Sequence, residues 1–127
     1  MRLALAASLI LPIVTPVQAD DTLWAALKQG GKVVLMRHAA VERSSGNPTL
    51  HTPGDCSKEL NLSELGRAQA KRIGETFRAR GIFTGDVLAS PYCRTMETGR
   101  LAFGNVKSSE ALRLIEGIGA QEVERIN

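Results

Sequence analysis

Lys32-Val33-Val34-Leu35-Met36-Arg37-His38 is the stretch that decides the fold. Its first five residues form a nearly continuous apolar run, rich in β-branched side chains. Such a run suits a strand buried on both faces, as in a parallel sheet. Arg37 and His38 follow at the C-terminal end of that strand. Working outward, Asp20 and Asp21 can cap a short helix through Trp24 to Gln29, closed by Gly30-Gly31. Downstream, residues Ala39 to Asn61 read as a long loop containing Gly46, Pro48, Pro53 and Gly54, and a loop of this length is usually functional or disordered. Ser63 is placed to cap a helix running to about Arg80. Gly66, Ala70, Ile73, Gly74 and Phe77 share one face of it, small enough in part to allow close approach to a sheet. Gly81 ends the helix. Asp86-Val87-Leu88-Ala89 is a second short strand. Ser90-Pro91 turns it into a helix from about Tyr92 to Phe103, with Pro91 near the first helical position. A further extended piece is expected around Val106, and the start of another helix at Gln121–Ile126. Alternating strands and helices predict an α/β fold with parallel pairing.

The composition bounds what such a chain can be. With 127 residues, 43% of them hydrophobic and 23% charged, it is one ordinary globular domain. The first nineteen residues read as an export leader. Arg2 gives the positive start, Leu3 to Val14 the apolar stretch, and Val17-Gln18-Ala19 the cleavage site. The expected organisation is a signal peptide over 1–19 and the working domain over 20–127. Losing Arg2 lowers the formal charge of +3 by one. That balance, without a basic stripe, predicts no nucleic-acid partner. No apolar run reaches the roughly 18 residues of a spanning helix, so no stable membrane insertion is expected after cleavage. The expected location is the periplasm or the medium.

Chemistry collects at the two strand-to-loop junctions. In open α/β sheets ligands bind beyond the carboxyl ends of the strands, so both junctions are expected to face one site. Together they bring Arg37, His38, Ser90, Arg94 and the N-terminus of a helix. Guanidinium forks pair two oxygens at once and helix amides point at negative charge, which suits a phosphate. A neutral imidazole is a nucleophile near neutral pH when a carbonyl on one ring nitrogen holds the tautomer. The plainer alternatives are a histidine at a strand end and arginines in surface ion pairs. Cys56 and Cys93 would pair in an oxidising compartment, a bridge worth about 3–4 kcal/mol in the chain-entropy model. The alternative is two reduced thiols. His38, His51, Cys56 and Cys93 match no compact zinc spacing, so no metal is expected.

Three motifs extend this reading. Val33 to Ala39, Leu62-Ser63-Glu64-Leu65-Gly66-Arg67-Ala68-Gln69-Ala70 and Ala89-Ser90-Pro91-Tyr92-Cys93-Arg94-Thr95-Met96-Glu97-Thr98 stand in this order. Together they resemble the histidine phosphatase superfamily, also called phosphoglycerate mutase-like, over roughly Lys32 to Phe103. The resemblance implies a three-layer α/β/α fold and a metal-independent, cofactor-free phosphatase working on a phosphorylated small molecule or sugar. His38 would accept the phosphoryl group, and Arg37 and Arg94 would bind the phosphate. Ser90 lies in the matching turn, and Asn47 in the loop that would border the substrate. Many members carry an acidic proton donor after the second arginine helix, and Glu116 occupies that place. The leader and the cysteine-containing loop resemble the exported branch.

One departure matters. The family places a second pocket histidine on a later turn, whereas this chain has none after His51. The strand, turn and closing helix of that region are also missing, so the sequence is expected to be the N-terminal portion of the domain. His51 sits in the loop before the first long helix, a poor substitute. If complete, the chain is expected to be weak or inactive. It would then be a phosphate-binding protein of the same fold, and a mutase-type phosphotransferase is the other alternative.

Overall fold

A computed structural model describes residues 21–42 and 53–113. The segment 1–19 expected to be a leader, Asn47, His51 and Glu116 lie outside these residues. Three helices carry the described architecture. Helix α1 spans Asp21–Lys28, α2 Glu64–Ala79 and α3 Cys93–Phe103. Strand β1 (Leu88–Ala89) pairs in parallel with β2 (Lys107–Ser108), Leu88 opposite Lys107 and Ala89 opposite Ser108. The crossover between them is α3, as parallel pairing requires. A short 3-10 turn, Glu110–Leu112, follows. The described fold is therefore mixed α/β with a small parallel sheet, and β2 is the extended piece expected around Val106.

Helix boundaries follow local chemistry. Ser63 caps α2 by accepting a hydrogen bond from the Gly66 amide at 3.1 Å. Gly81 and Gly104 take positive φ just beyond α2 and α3, the conformation that lets a chain leave a helix. The small residues of α2 serve close contacts different from those expected. A side chain on Gly66 would overlap the Ala40 carbonyl, and one on Gly74 would overlap the Ala102 carbonyl in α3. The small face of α2 therefore admits a loop backbone and a helix backbone. Among the described residues it does not lie on a sheet. Aromatic edges complete the layer, with Trp24 against Phe77 at 5.8 Å and Phe77 against Phe103 at 5.3 Å between centroids.

The Lys32–Met36 run departs from the sequence reading. It forms no strand, and Val33 is 89% and Leu35 87% exposed. The physical reason is pairing. A strand buried on both faces needs a ladder on at least one edge and layers above and below it. Among the described residues β1 pairs with β2, and nothing pairs with 32–36. The segment is anchored just after it. Ala39 lies in a small core with Leu62 and Ala70, flanked by Val41 and Leu101. Val41 and Leu62 form an antiparallel bridge, and the Ser63 amide donates to the Ala40 carbonyl at 3.1 Å. His38 is thus placed from its C-terminal side, by the start of α2 and by α3.

Candidate active site

Two anchors bring the junctions together. The Ala39 amide donates to Thr98 Oγ1 at 3.1 Å, and Thr98 Oγ1 donates to the Arg94 carbonyl at 2.7 Å. Residue 39 is therefore tied to the first turns of α3, and His38 sits beside Arg94. The Ala40 amide also donates to Gln69 Oε1 at 3.1 Å, which binds the same segment to α2.

The His38 ring is held in one tautomer. Nδ1 lies 2.8 Å from the Ala39 carbonyl oxygen. A carbonyl only accepts, so Nδ1 carries the proton and Nε2 keeps its lone pair. Partial burial pushes the imidazole below its ordinary pKa. The bond to the Ala39 carbonyl works against that shift, and the charges of Arg94 and then Arg37 add to it. The balance favours the neutral, nucleophilic ring. An imidazole NMR titration is expected to give His38 a midpoint below the usual value of about 6.5. Arg94→Gln removes one of the depressing charges and should move the midpoint upward without restoring it fully, because burial remains. A folded-state pKa below the unfolded one means that the unfolded chain binds the proton first. The stability contributed by His38 is complete above the ordinary value and is lost as pH falls through it. A midpoint at or above about 6.5 would contradict this account.

Arg94 is the buried cation of the site. It is 7% exposed, yet its NH1 group has no hydrogen-bond partner among the described residues. Its guanidinium carbon lies 4.5 Å from the centroid of the Tyr92 ring, a cation–π contact. NH1 stands 4.0 Å from Glu59 Oε2, too long for a hydrogen bond. A buried donor without an acceptor is costly unless a ligand supplies one. Arg37 is exposed and close enough for its charge to act on His38.

Ser90 is buried, but its hydroxyl is spent locally. It donates to Thr95 Oγ1 at 3.0 Å, and Thr95 Oγ1 shares its own proton between the Ser90 and Tyr92 carbonyls, each at 2.7 Å. This network shapes the turn into α3. One amide at the N-terminus of α3 is also occupied. The Cys93 amide donates to Glu59 Oε2 at 2.7 Å, so this first amide of the helix is already satisfied by a carboxylate. Glu97, three residues after Arg94 on the same helix, bonds Arg67 of α2 at 2.8 Å. The α2–α3 packing brings that arginine closer, which leaves Arg94 to the site.

Cys56 and Cys93 form a disulfide with a Cα separation of 5.6 Å. It fastens the loop before α2 to the start of α3. Asn47 and Glu116, proposed from the sequence as substrate contact and proton donor, lie outside the described residues. Among those residues no group of three or more His, Cys, Asp or Glu side chains is placed to hold a metal ion, and no helix is long and apolar enough to cross a membrane.

Sequence reasoning missed Glu59. Its carboxylate is fully buried, with Oε1 accepting from the Gly54 amide at 2.8 Å and Oε2 from Cys93. The signal was present but indirect. Pairing Cys56 with Cys93 necessarily carries residue 59 toward residue 94.

Comparison with known proteins agrees with this geometry. Residues 33–122 match the family described as histidine phosphatase superfamily (branch 1). A 72-residue stretch is 33% identical to a 2,3-bisphosphoglycerate-dependent phosphoglycerate mutase of Corynebacterium diphtheriae. That stretch covers 57% of this chain and 27% of the mutase, so the chain spans well under half of that relative. No solved structure matches the chain significantly.

Proposed function

The chain belongs to the histidine phosphatase superfamily, branch 1, and from that premise we propose that it hydrolyses phosphomonoesters through a phosphohistidine on His38. The observation that carries this reading is the pair formed by His38 and Arg94. The imidazole has its Nε2 lone pair free, and the buried guanidinium beside it has an NH1 with no partner among the described residues. A phosphate set on Arg94 and Arg37 would supply the missing acceptor and present phosphorus to Nε2. The N–P bond forms as the ester P–O bond breaks, and the departing alkoxide takes a proton from an acid, a role assigned to Glu116. Water then attacks phosphorus, the N–P bond breaks, and phosphate leaves with His38 restored. The arginines neutralise charge gathering on the transferring group. Asn47 would border the leaving group, and Ser90 would act on the phosphate through the turn that it stabilises.

The substrate class is a phosphorylated small molecule or sugar outside the cytoplasm. The reading of 1–19 as a leader, ahead of a three-layer phosphoglycerate mutase-like domain, supports export. So does the Cys56–Cys93 bridge, since such bridges persist in oxidising compartments. The mutase relative favours a second reading, phosphoryl transfer between hydroxyls.

One experiment separates the possibilities. Mixed with a radiolabelled sugar phosphate, the protein is expected to take up an acid-labile, alkali-stable label and to release it as inorganic phosphate. His38→Ala should take up none. Label passed to another hydroxyl would indicate the mutase. A sugar phosphate that binds but never labels the protein would indicate a phosphate-binding protein and overturn the hydrolase reading.

A further inference from the structure

Glu59 has no part in the phosphoryl-transfer steps, yet it is a fully buried acid next to the phosphate arginine. Both its oxygens are already occupied, Oε1 by the Gly54 amide at 2.8 Å and Oε2 by the Cys93 amide at 2.7 Å. A carboxylate held in this way cannot swing over to grip Arg94 with a fork. It stays 4.0 Å from NH1, close enough to offset the buried positive charge and too far to take its hydrogens. The positive charge is thereby balanced in place while NH1 keeps its hydrogens free of any partner among the described residues.

The same carboxylate fixes the backbone that carries the arginine. Cys93 is the first residue of α3 and Arg94 the second. The bond to the Cys93 amide sets where that turn begins, and the bond to Gly54 ties it to a loop residue with φ of +107°. The Tyr92 ring supports the guanidinium at 4.5 Å. Orientation of Arg94 thus depends on a residue that touches no substrate. We infer that Glu59 is a positioning residue for phosphate recognition, acting through Arg94. This rests on the phosphate reading of the site and adds a residue to it.

A double-mutant cycle tests the inference with inorganic phosphate as the probe, its binding followed by the His38 ring signals. Glu59→Gln places an amide NH2 against one of the two backbone amides and removes the charge beside NH1. Its effect on phosphate has two parts. Loss of a nearby negative charge helps an anion in any background. Loss of positioning matters only when Arg94 is present. Glu59→Gln is therefore expected to weaken phosphate binding about tenfold in the otherwise native protein, a coupling within the range of contacting pairs. In the Arg94→Ala background it should leave binding unchanged or slightly tighter. Equal loss in both backgrounds, or no loss in the native one, overturns the inference while the phosphate reading stands. A native protein that binds no phosphate overturns both. Should Glu59→Gln fail to fold, Glu59→Asp takes its place: its shorter side chain keeps the charge but cannot span both amides, so it should weaken phosphate binding in the native protein and leave it unchanged in the Arg94→Ala background.

Discussion

Arg94→Ala is expected to slow phosphorylation of His38 by about 100- to 1000-fold, the usual cost of removing one donor to a charge-developing centre. The burial of Arg94 makes the effect large. A surface arginine would be screened by water and replaced by its neighbours, whereas this guanidinium is 7% exposed and presents an NH1 with no hydrogen-bond partner among the described residues. Arg37 cannot compensate, because it is exposed and free to move away from the phosphate. Arg94→Lys should recover only part of the rate. A lysine keeps the charge but loses the planar fork that pairs two phosphate oxygens. The measurement is single-turnover labelling of His38, with Arg100→Ala as control, since Arg100 lies exposed further along the same helix. Labelling of Arg94→Ala at the native rate would remove the chemical basis of the proposal.

What the sequence revealed, and what it concealed, follows from the range of the forces involved. Helices α2 and α3 were legible because their limits are set locally. Ser63 caps one, Pro91 precedes the other, and Gly81 and Gly104 release the chain. The parallel relation of β1 to β2 was legible because a strand followed by a helix and a strand has few ways to close. The Lys32–Met36 run was misread for the converse reason. Its side chains are those of a buried strand, but burial is conferred by neighbours, and among the described residues none pairs with it. The site shows the same division. His38, Arg37 and Arg94 stood out through their place at the ends of apolar runs. Glu59 did not, because a glutamate beside Lys58 in a polar loop looks solvated. Only a contact across 34 residues of sequence, from its carboxylate to the Cys93 amide, reveals its role.

The bridge that makes this contact durable carries the second large effect. Reducing Cys56–Cys93, or replacing both cysteines by alanine, is expected to cost about 3–4 kcal/mol of folding stability. The bond closes a sequence separation of 37 residues, so the unfolded chain gains considerable freedom once it is cut. Few other contacts can absorb that loss. Among the described residues the buried apolar cluster is small, with Ala39, Leu62 and Ala70 at its centre, and Tyr92 and Leu62 are the largest side chains fully enclosed there. Small cores leave little margin, and a staple then represents a large part of the total. Urea unfolding of the oxidised and reduced protein, followed by the fluorescence of Trp24, measures the difference. In a domain of this size each kcal/mol moves Tm by roughly 4–8 °C, so the reduced form should melt well below the oxidised one. Part of the loss should appear at the site before the whole domain unfolds. Loop 53–62 is joined to α3 by the disulfide and by the Glu59 carboxylate, and the carboxylate alone must then hold Cys93 against the entropy of a freed loop. A stability change below about 1 kcal/mol would mean that the bonds of Glu59 already restrict that loop as tightly as the covalent link does.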